Sequence, residues 1–340
     1  MATFPLSIGG LVQAEEYNDV AANINKIFGD KFSTAAVTDS NRKNTHKFGW
    51  GSSNIADSLS ANNLVTASRL QDMVDRTNVM IDHCDITDTI LVFSAPTGRE
   101  DILANTPIRA EDLNVIWDKI ENTILADGVR TSVDPTNASS LNSGVELNRT
   151  IPWTTQLVGE WKWTFNDYNH ARYFFNGGGQ LRIAGDITGG TTAGYYNWDD
   201  VLQGMGILSF VWDNITQSDS DAPGLTESKG IYDLTEYYGD GSDAGTADEG
   251  LLFTSAGSGI SGGYSNLQLK LYGKYANNGA EIHFKVIMDD SVFAHTVDGE
   301  ITLTPSFLMP DLITRGTATF DVLPLPVCTI TNDFTSPDDS

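Results

Sequence analysis

The stretch His170–Ile183, HARYFFNGGGQLRI, decides how the second half of the chain is interpreted. Side chains alternate up to Asn176, three glycines follow, and Leu181 and Ile183 resume the alternation. A period of two is typical of a half-buried strand, and glycine accepts the positive φ values that tight hairpin turns require. The stretch therefore predicts a β-hairpin. Its defining residues are His170, Arg172, Phe174, Phe175, Asn176, Gly177, Gly178 and Arg182.

Strand patterns continue on the C-terminal side of this stretch. Leu267, Leu269 and Leu271 alternate with other residues, and Asn277-Asn278-Gly279 is a hairpin signal before another alternating run. Many strands separated by Gly- and Asn-rich turns are typical of a β-sandwich. We expect a jelly-roll-like β-sandwich over residues 153–323 and an extended C-terminal arm over residues 324–340.

The first 130 residues contain a diverged repeat. Aligning Ala14, Ala67 and Ala110 superposes three segments with apolar residues at helical spacing: LVQAEEYNDVAANINKIFG, LVTASRLQDMVDRTNVMID and PIRAEDLNVIWDKIENTIL. These segments predict a small helical attachment domain over residues 1–130. Residues 131–152 are rich in Ser, Thr, Asn and Gly and are interpreted as a linker. The fold class expected for the whole chain is therefore α+β.

The formal net charge of -25 excludes several kinds of partner. Nucleic acids and anionic membranes attract clustered Lys and Arg, so neither is expected to bind this chain. The N-terminal residues lack the basic start and apolar run of a signal peptide, and no apolar run is long enough to span a bilayer. Cys84 and Cys328 are the only cysteines, which offers no disulfide framework.

No motif in the chain predicts catalysis. The five histidines have no partner at metal-ligand spacing, and neither a nucleophile elbow nor a phosphate-binding loop occurs. We therefore expect a non-enzymatic protein without a cofactor. A structural calcium ion is the one exception considered, because carboxylate oxygens are its preferred ligands. Its weak candidates are Asp219, Asp221, Asp240 and Asp243.

Two parts of the chain resemble structural proteins of tailed bacteriophages. They are the His170–Ile183 stretch and an N-terminal region formed by Val12–Gly29, Phe48-Gly49-Trp50-Gly51 and Leu64–Asp82. The N-terminal region is similar to tail or neck appendage proteins of contractile-tailed cyanobacterial phages. The resemblance implies a virion component made in the host bacterial cytoplasm. We also expect a homo-oligomer with closed rotational symmetry, in contact with other virion proteins, because three short helices joined by long polar loops form a thin core that gains from burial against neighbours.

Aromatic and apolar residues in loops and arms are the expected contact anchors, since such residues are enriched at the centres of interfaces. They are Phe4, Leu6, Ile8, Phe48, Trp50, Tyr195, Tyr196, Tyr237 and Tyr238. Two alternatives remain open: a carbohydrate-binding receptor-recognition module that binds a host surface glycan, and a capsid decoration protein. A polysaccharide-degrading tailspike is disfavoured because no long β-helical repeat is present.

Overall fold

The structure is a computed structural model that describes residues 4–6, 12–28, 49–50, 58–61, 63–83, 108–124, 140–142, 145–218, 229–256, 267–291, 295–310, 314–315, 318–319 and 325–339. These residues form five α-helices and thirteen strands, with three helices first and most strands in the C-terminal half. The predicted α+β class is confirmed.

Three helices form the N-terminal unit. They are α1 (Ala14–Phe28), α2 (Ala67–His83) and α3 (Ala110–Asp118), and a π-helical turn over Lys119–Ile124 continues α3. Each helix begins at the alanine that the repeat aligned. The apolar stripes pack against one another in a single core that contains Ile24, Met73 and Ile116. The predicted helical segments are thus confirmed, and their stripes form core.

The strands make two antiparallel sheets. The first sheet contains β1 (Ser140–Asn142), β2 (Leu147–Arg149), β4 (Gln180–Thr188), β5 (Ile207–Phe210), β6 (Ile215–Ser218) and β10 (Glu300–Leu308), in the order β1-β10-β4-β5-β6 with β2 also paired to β10. The second contains β3 (Gln156–Thr164), β7 (Leu251–Ala256), β8 (Gln268–Ala276), β9 (Glu281–Asp289) and β13 (Val327–Thr335), in the order β13-β3-β9-β8-β7. A separate pair joins β11 (Thr314–Arg315) to β12 (Ala318–Thr319).

The two large sheets face each other across one hydrophobic core. Trp163 of β3 lies 5.5 Å from Phe307 of β10, and Phe210 of β5 lies 4.9 Å from Phe284 of β9, between ring centroids. Strands β4-β5-β6 and β7-β8-β9 are sequential neighbours within their sheets, whereas β3 and β10 lie in the sheet opposite their chain neighbours β4 and β9. The two facing sheets fit the predicted sandwich, and sequential strands account for two of the five pairings in the first sheet and two of the four in the second.

The predicted hairpin at His170–Ile183 is wrong in its first half. Residues Tyr168–Asn176 form a helix, α4, and only the second arm is a strand, β4. Asp167 caps the helix by accepting a 3.0 Å hydrogen bond from the His170 backbone N–H. Phe174 and Phe175 are both buried, which a helix allows when it is covered on several sides. A further helix, α5 (Ala193–Met205), covers the first sheet beside β4.

Two predicted boundaries also change. The segment interpreted as a linker contributes β1 and β2, which pair with β10. The segment interpreted as a free arm contributes β13, which pairs antiparallel with β3 from Val327 onward. On the side that faces β3, its backbone groups pair within its own chain. The predicted hairpin turn at Asn277-Asn278-Gly279 is confirmed, with positive φ at all three residues.

Candidate assembly interface

Strand β13 is an exposed edge of the second sheet. Within the described residues it is the last strand of the sheet and pairs in it only with β3. Cys328 and Phe334 point into the core, whereas Val327 is 58% exposed and Ile330 is 38% exposed. No charged residue occurs between Asp321 and Asp333. The strand is therefore uncharged from Val327 to Asn332, with two exposed apolar residues among exposed threonines and an asparagine, in a strongly acidic chain.

The two halves of β13 differ in regularity. Residues from Val327 to Ile330 pair with β3 in continuous register, and register shifts follow between Ile330 and Asn332 and between Asn332 and Thr335. Such irregularities bend a strand and protect its edge from further pairing. The regular half is thus the part of the edge that can accept another strand.

The C-terminal end of β13 is fastened to the sandwich. Arg149 donates two hydrogen bonds to the Asp339 carboxylate, at 2.8 and 2.6 Å. These bonds hold the pKa of Asp339 at about 2. The neighbouring Asp338 accepts bonds from the backbone N–H and the hydroxyl of Thr154, both at 2.8 Å. The fastening fixes the strand in position, so its exposed edge is presented rigidly.

The outer face of the second sheet holds charges that neutralise one another. Lys285 Nζ lies 2.5 Å from Asp240 and 3.7 Å from Glu160, and Lys162 lies 3.3 Å from Glu281. Burial raises the pKa of Asp240, but hydrogen bonds from Lys285 and Ser242 outweigh this effect and hold the pKa below its usual value. The Lys285–Asp240 pair fastens the loop after Gly239 to the sheet.

The carboxylates considered for calcium fall into two groups. Asp243 accepts backbone hydrogen bonds from Tyr238 at 2.6 Å and Gly239 at 3.1 Å, so it stabilises the same loop as Asp240. Asp219 and Asp221 lie outside the described residues. No group of three potential metal ligands occurs in the part of the chain that the structure describes. Calcium binding stays a prediction.

Two of the nine predicted anchors are buried within the chain, which corrects their assignment as exposed loop residues. Trp50 donates from its indole N–H to the Asn176 carbonyl at 3.1 Å, and the Asn176 side chain donates to the Gly49 carbonyl at 3.1 Å. These reciprocal bonds join the helical unit to the end of α4. Tyr238 is 3% exposed and stacks under the ammonium of Lys274. Both aromatic rings gain more from packing inside the chain than from exposure in a loop.

The other anchors divide by position. Tyr196 and Tyr237 are exposed, at 57% and 40%, and Tyr195 is half-buried. Phe4 and Leu6 are half-buried against α3. Ile8 and Phe48 lie outside the described residues.

The residues of the predicted hairpin pack in the core or stabilise and end helix α4. Phe174, Phe175 and Asn176 are buried, and the guanidinium of the buried Arg172 lies 4.9 Å from the centre of the Tyr173 ring. His170 lies 3.0 Å from the Asp167 carboxylate. Of the other residues of the predicted hairpin, Gly177 and Gly178 end α4, and Arg182 lies in β4.

Sequence reasoning missed one buried carboxyl group. Asp290 follows β9, is 1% exposed and lies 3.9 Å from the His295 ring nitrogen Nδ1. Burial raises its pKa to about 6, although His295 and the indole of Trp198 lower it in part. The sequence gives no signal for this burial, because an Asp-Asp pair after a strand is typical of an exposed turn.

Searches of protein-family models, curated proteins and solved structures found no match to this chain. No helix among the described residues is long and apolar enough to cross a bilayer. Among these features, the exposed edge of β13 is the one suited to binding another chain.

Proposed function

We propose that this chain is a non-enzymatic structural protein of a bacteriophage particle and that it is a tail, neck or fibre-attachment component. It acts by binding further copies of itself and other virion proteins. The observation that carries the proposal is the regular, uncharged edge of β13. The assignment to a phage particle rests on the resemblance of the helical unit and of the His170–Ile183 stretch to phage structural proteins.

The charge distribution limits where a second copy can bind. Each copy carries a net charge of -25, so two copies repel each other wherever their acidic surfaces meet. The residues between Asp321 and Asp333 carry no charge, so repulsion between copies is weakest there. Added backbone hydrogen bonds would supply affinity, and Val327 and Ile330 would supply apolar contact.

Lysine substitutions test this interface. Val327→Lys and Ile330→Lys place a charge on the free edge, and edge lysines block strand pairing. Leu64→Lys is the matched control, since Leu64 is 85% exposed and lies in the helical unit. Sedimentation of the full chain should show self-association that weakens about tenfold or more in the β13 variants, equivalent to about 1.4 kcal/mol.

The same variants connect the interface to the particle. Immunogold labelling should locate the wild-type protein on intact phage particles, and Val327→Lys should reduce its incorporation while Leu64→Lys should not. The proposal fails if the wild-type chain is absent from particles. It also fails if the β13 variants associate and incorporate like the wild type.

A carbohydrate-binding module is a second candidate, favoured by the tyrosine pair at the start of α5. Tyr196 is exposed and its ring lies 5.0 Å from that of Tyr195, in an edge-to-face arrangement. Exposed aromatic rings stack on the apolar faces of sugars. Glycan-array binding that Tyr196→Ala removes would favour this candidate over a purely structural protein.

A further inference from the structure

One ion pair of the second sheet is buried at both ends. Lys285 of β9 places its Nζ 2.5 Å from Oδ2 of Asp240, and the two side chains are 11% and 2% exposed. Two buried rings lie beside the pair: Nζ is 5.7 Å from the centre of the Tyr238 ring, and Tyr272 is the cross-strand neighbour of Lys285. Buried charges have lost their hydration, so a change that removes both of them is favoured.

The other oxygen of the Asp240 carboxyl group is held by two donors. Oδ1 accepts hydrogen bonds from the Ser242 backbone N–H at 3.0 Å and from the Ser242 hydroxyl at 2.6 Å. Donors aimed at a carboxyl oxygen stabilise the negative charge that develops there when a nucleophile adds to the carbon. Lys285 Nζ, a potential nucleophile, also lies 3.2 Å from Ser242 Oγ. The two oxygens of Asp240 are therefore in different environments, with Ser242 at one and the amine at the other.

A second carboxylate is placed to carry protons to and from the amine. Glu160 of β3 lies directly opposite Lys285 in the β3–β9 register, and its Oε1 is 3.7 Å from Nζ. A carboxylate that close to an amine can accept a proton from it and donate the proton to a leaving oxygen. The amine thus lies between one carboxyl group that can react with it and one that can act as acid and base.

We propose that Lys285 and Asp240 condense into an amide bond within the chain, and that Glu160 carries the proton. The ammonium first passes a proton to Oδ2, which leaves a neutral amine beside a neutral acid. Nζ then adds to Cγ, and the carbonyl electron pair moves onto Oδ1. Glu160 takes a proton from Nζ and returns it to Oδ2, which leaves as water while the carbonyl re-forms. One N–C bond forms, one C–O bond breaks, and nothing is oxidised or reduced.

The fold supplies what this condensation lacks in free solution. Groups held in contact react as if at an effective concentration of about 10⁵ M or more. The product amide is neutral, so both buried charges disappear. The bond would close residues 240–285 into a covalent loop and join the loop after Gly239 to a central strand of the sheet. Each chain reacts once without turnover, and the reaction is independent of what the chain assembles with.

The mass of the intact, unfolded full chain tests the proposal. Condensation removes one water, so the measured mass should be about 18 Da below the value calculated from the sequence. Proteolysis of the wild type should release a branched peptide in which Lys285 is joined to Asp240. This measurement needs no variant, so it decides the question even if a substituted chain fails to fold. A mass equal to the sequence value, without a branched peptide, shows that the two residues form only an ion pair and overturns the proposal.

Variants separate the amide from another dehydration of the same mass. Asp240 precedes Gly241, and a cyclic imide formed between them would also lose one water. Lys285→Arg should therefore keep its full calculated mass, whereas an imide would persist in it and overturn the proposal. Lys162→Arg is the matched control, because Lys162 lies 3.3 Å from Glu281 on the same face of the sheet. It should still lose about 18 Da, and Asp240→Asn should lose ammonia, about 17 Da, in place of water.

The role of Glu160 is tested by the rate of the reaction. Glu160→Gln keeps the shape of the side chain but cannot carry the proton. Mass spectra of freshly made protein, taken over time, should show condensation slowed by about 100-fold or more. Condensation at the wild-type rate would show that Glu160 has no such role. Labelling of phage particles reports on the proposed function separately, since the masses are measured on the isolated chain.

Discussion

Replacing Asp290 by asparagine should stabilise the protein at neutral pH. The carboxyl group is 1% exposed, and burial raises its pKa to about 6 from the ordinary 3.8. In the folded state its charged form is therefore penalised relative to the unfolded chain. The difference between the two pKa values corresponds to about 3 kcal/mol once the group is ionised in both states.

The sign of the pH dependence follows from the direction of the shift. Below pH 3.8 the group is protonated in both states and costs nothing. Between pH 3.8 and about 6 the unfolded chain loses the proton first, so stability falls as the pH rises. Above pH 6 the full penalty is present. Asparagine resembles the protonated acid and removes this fall.

Urea unfolding followed by circular dichroism between pH 4 and 8 measures the effect. Asp290→Asn and the wild type should unfold with nearly equal free energies at pH 4, and the variant should be more stable by up to about 3 kcal/mol at pH 7.5. Asp289→Asn is the matched control at a partly exposed neighbour. The reasoning is refuted if Asp290→Asn destabilises the protein at pH 7.5 or keeps the wild-type pH dependence.

Two further predictions concern contacts that fasten the parts of the molecule together. Asp339→Asn should lower the free energy of unfolding near neutral pH, because it breaks the paired hydrogen bonds with Arg149. The pKa of Asp339 is lowered to about 2, so urea titrations should show that the wild type's advantage disappears as the pH falls from about 4 through 2. Trp50→Phe keeps an aromatic ring beside Phe28 but removes the indole bond to Asn176, so chemical denaturation should show a loss of about 1 kcal/mol, and an unchanged midpoint would contradict this contact.

Local patterns predicted the elements whose periodicity is clear. The aligned alanines located the start of all three N-terminal helices, and the leucines around Leu269 located β8. The turn at Asn277-Asn278-Gly279 was predictable because asparagine and glycine tolerate positive φ. These features depend on neighbours in the sequence, which is the information that a single chain provides.

The His170–Ile183 stretch shows where alternation misleads. Its aromatic residues satisfy a period of two, but Ala171, Phe174 and Phe175 also fit the i, i+3, i+4 spacing of a helix. Asp167 is an N-cap signal that would have favoured the helix. A segment that is buried on all sides can fit both the strand period and the helix period. Its contacts with the rest of the protein then decide which structure forms.

The candidate interface was predictable only in its composition. The β-branched residues after Pro326 are typical of a strand, but its partner β3 lies more than a hundred residues earlier in the chain. The hydrogen bonds of Asn114 with Leu6 and of Asn18 with Leu59 likewise join residues that are far apart in sequence. Burial of Asp290 depends on contacts with α5 and with His295, which no local pattern encodes.

The position of β3 in the second sheet has a consequence for synthesis on the ribosome. Strand β3 pairs on one side with β9 and on the other with β13, and both follow it by a long stretch of chain. Trp161 and Trp163 therefore emerge long before the strands that enclose them. The nascent sandwich must wait for residue 335 before this sheet is complete. The helical unit faces no such delay, so it should fold first, and chaperones that bind exposed aromatic segments should act on the β3 region during translation.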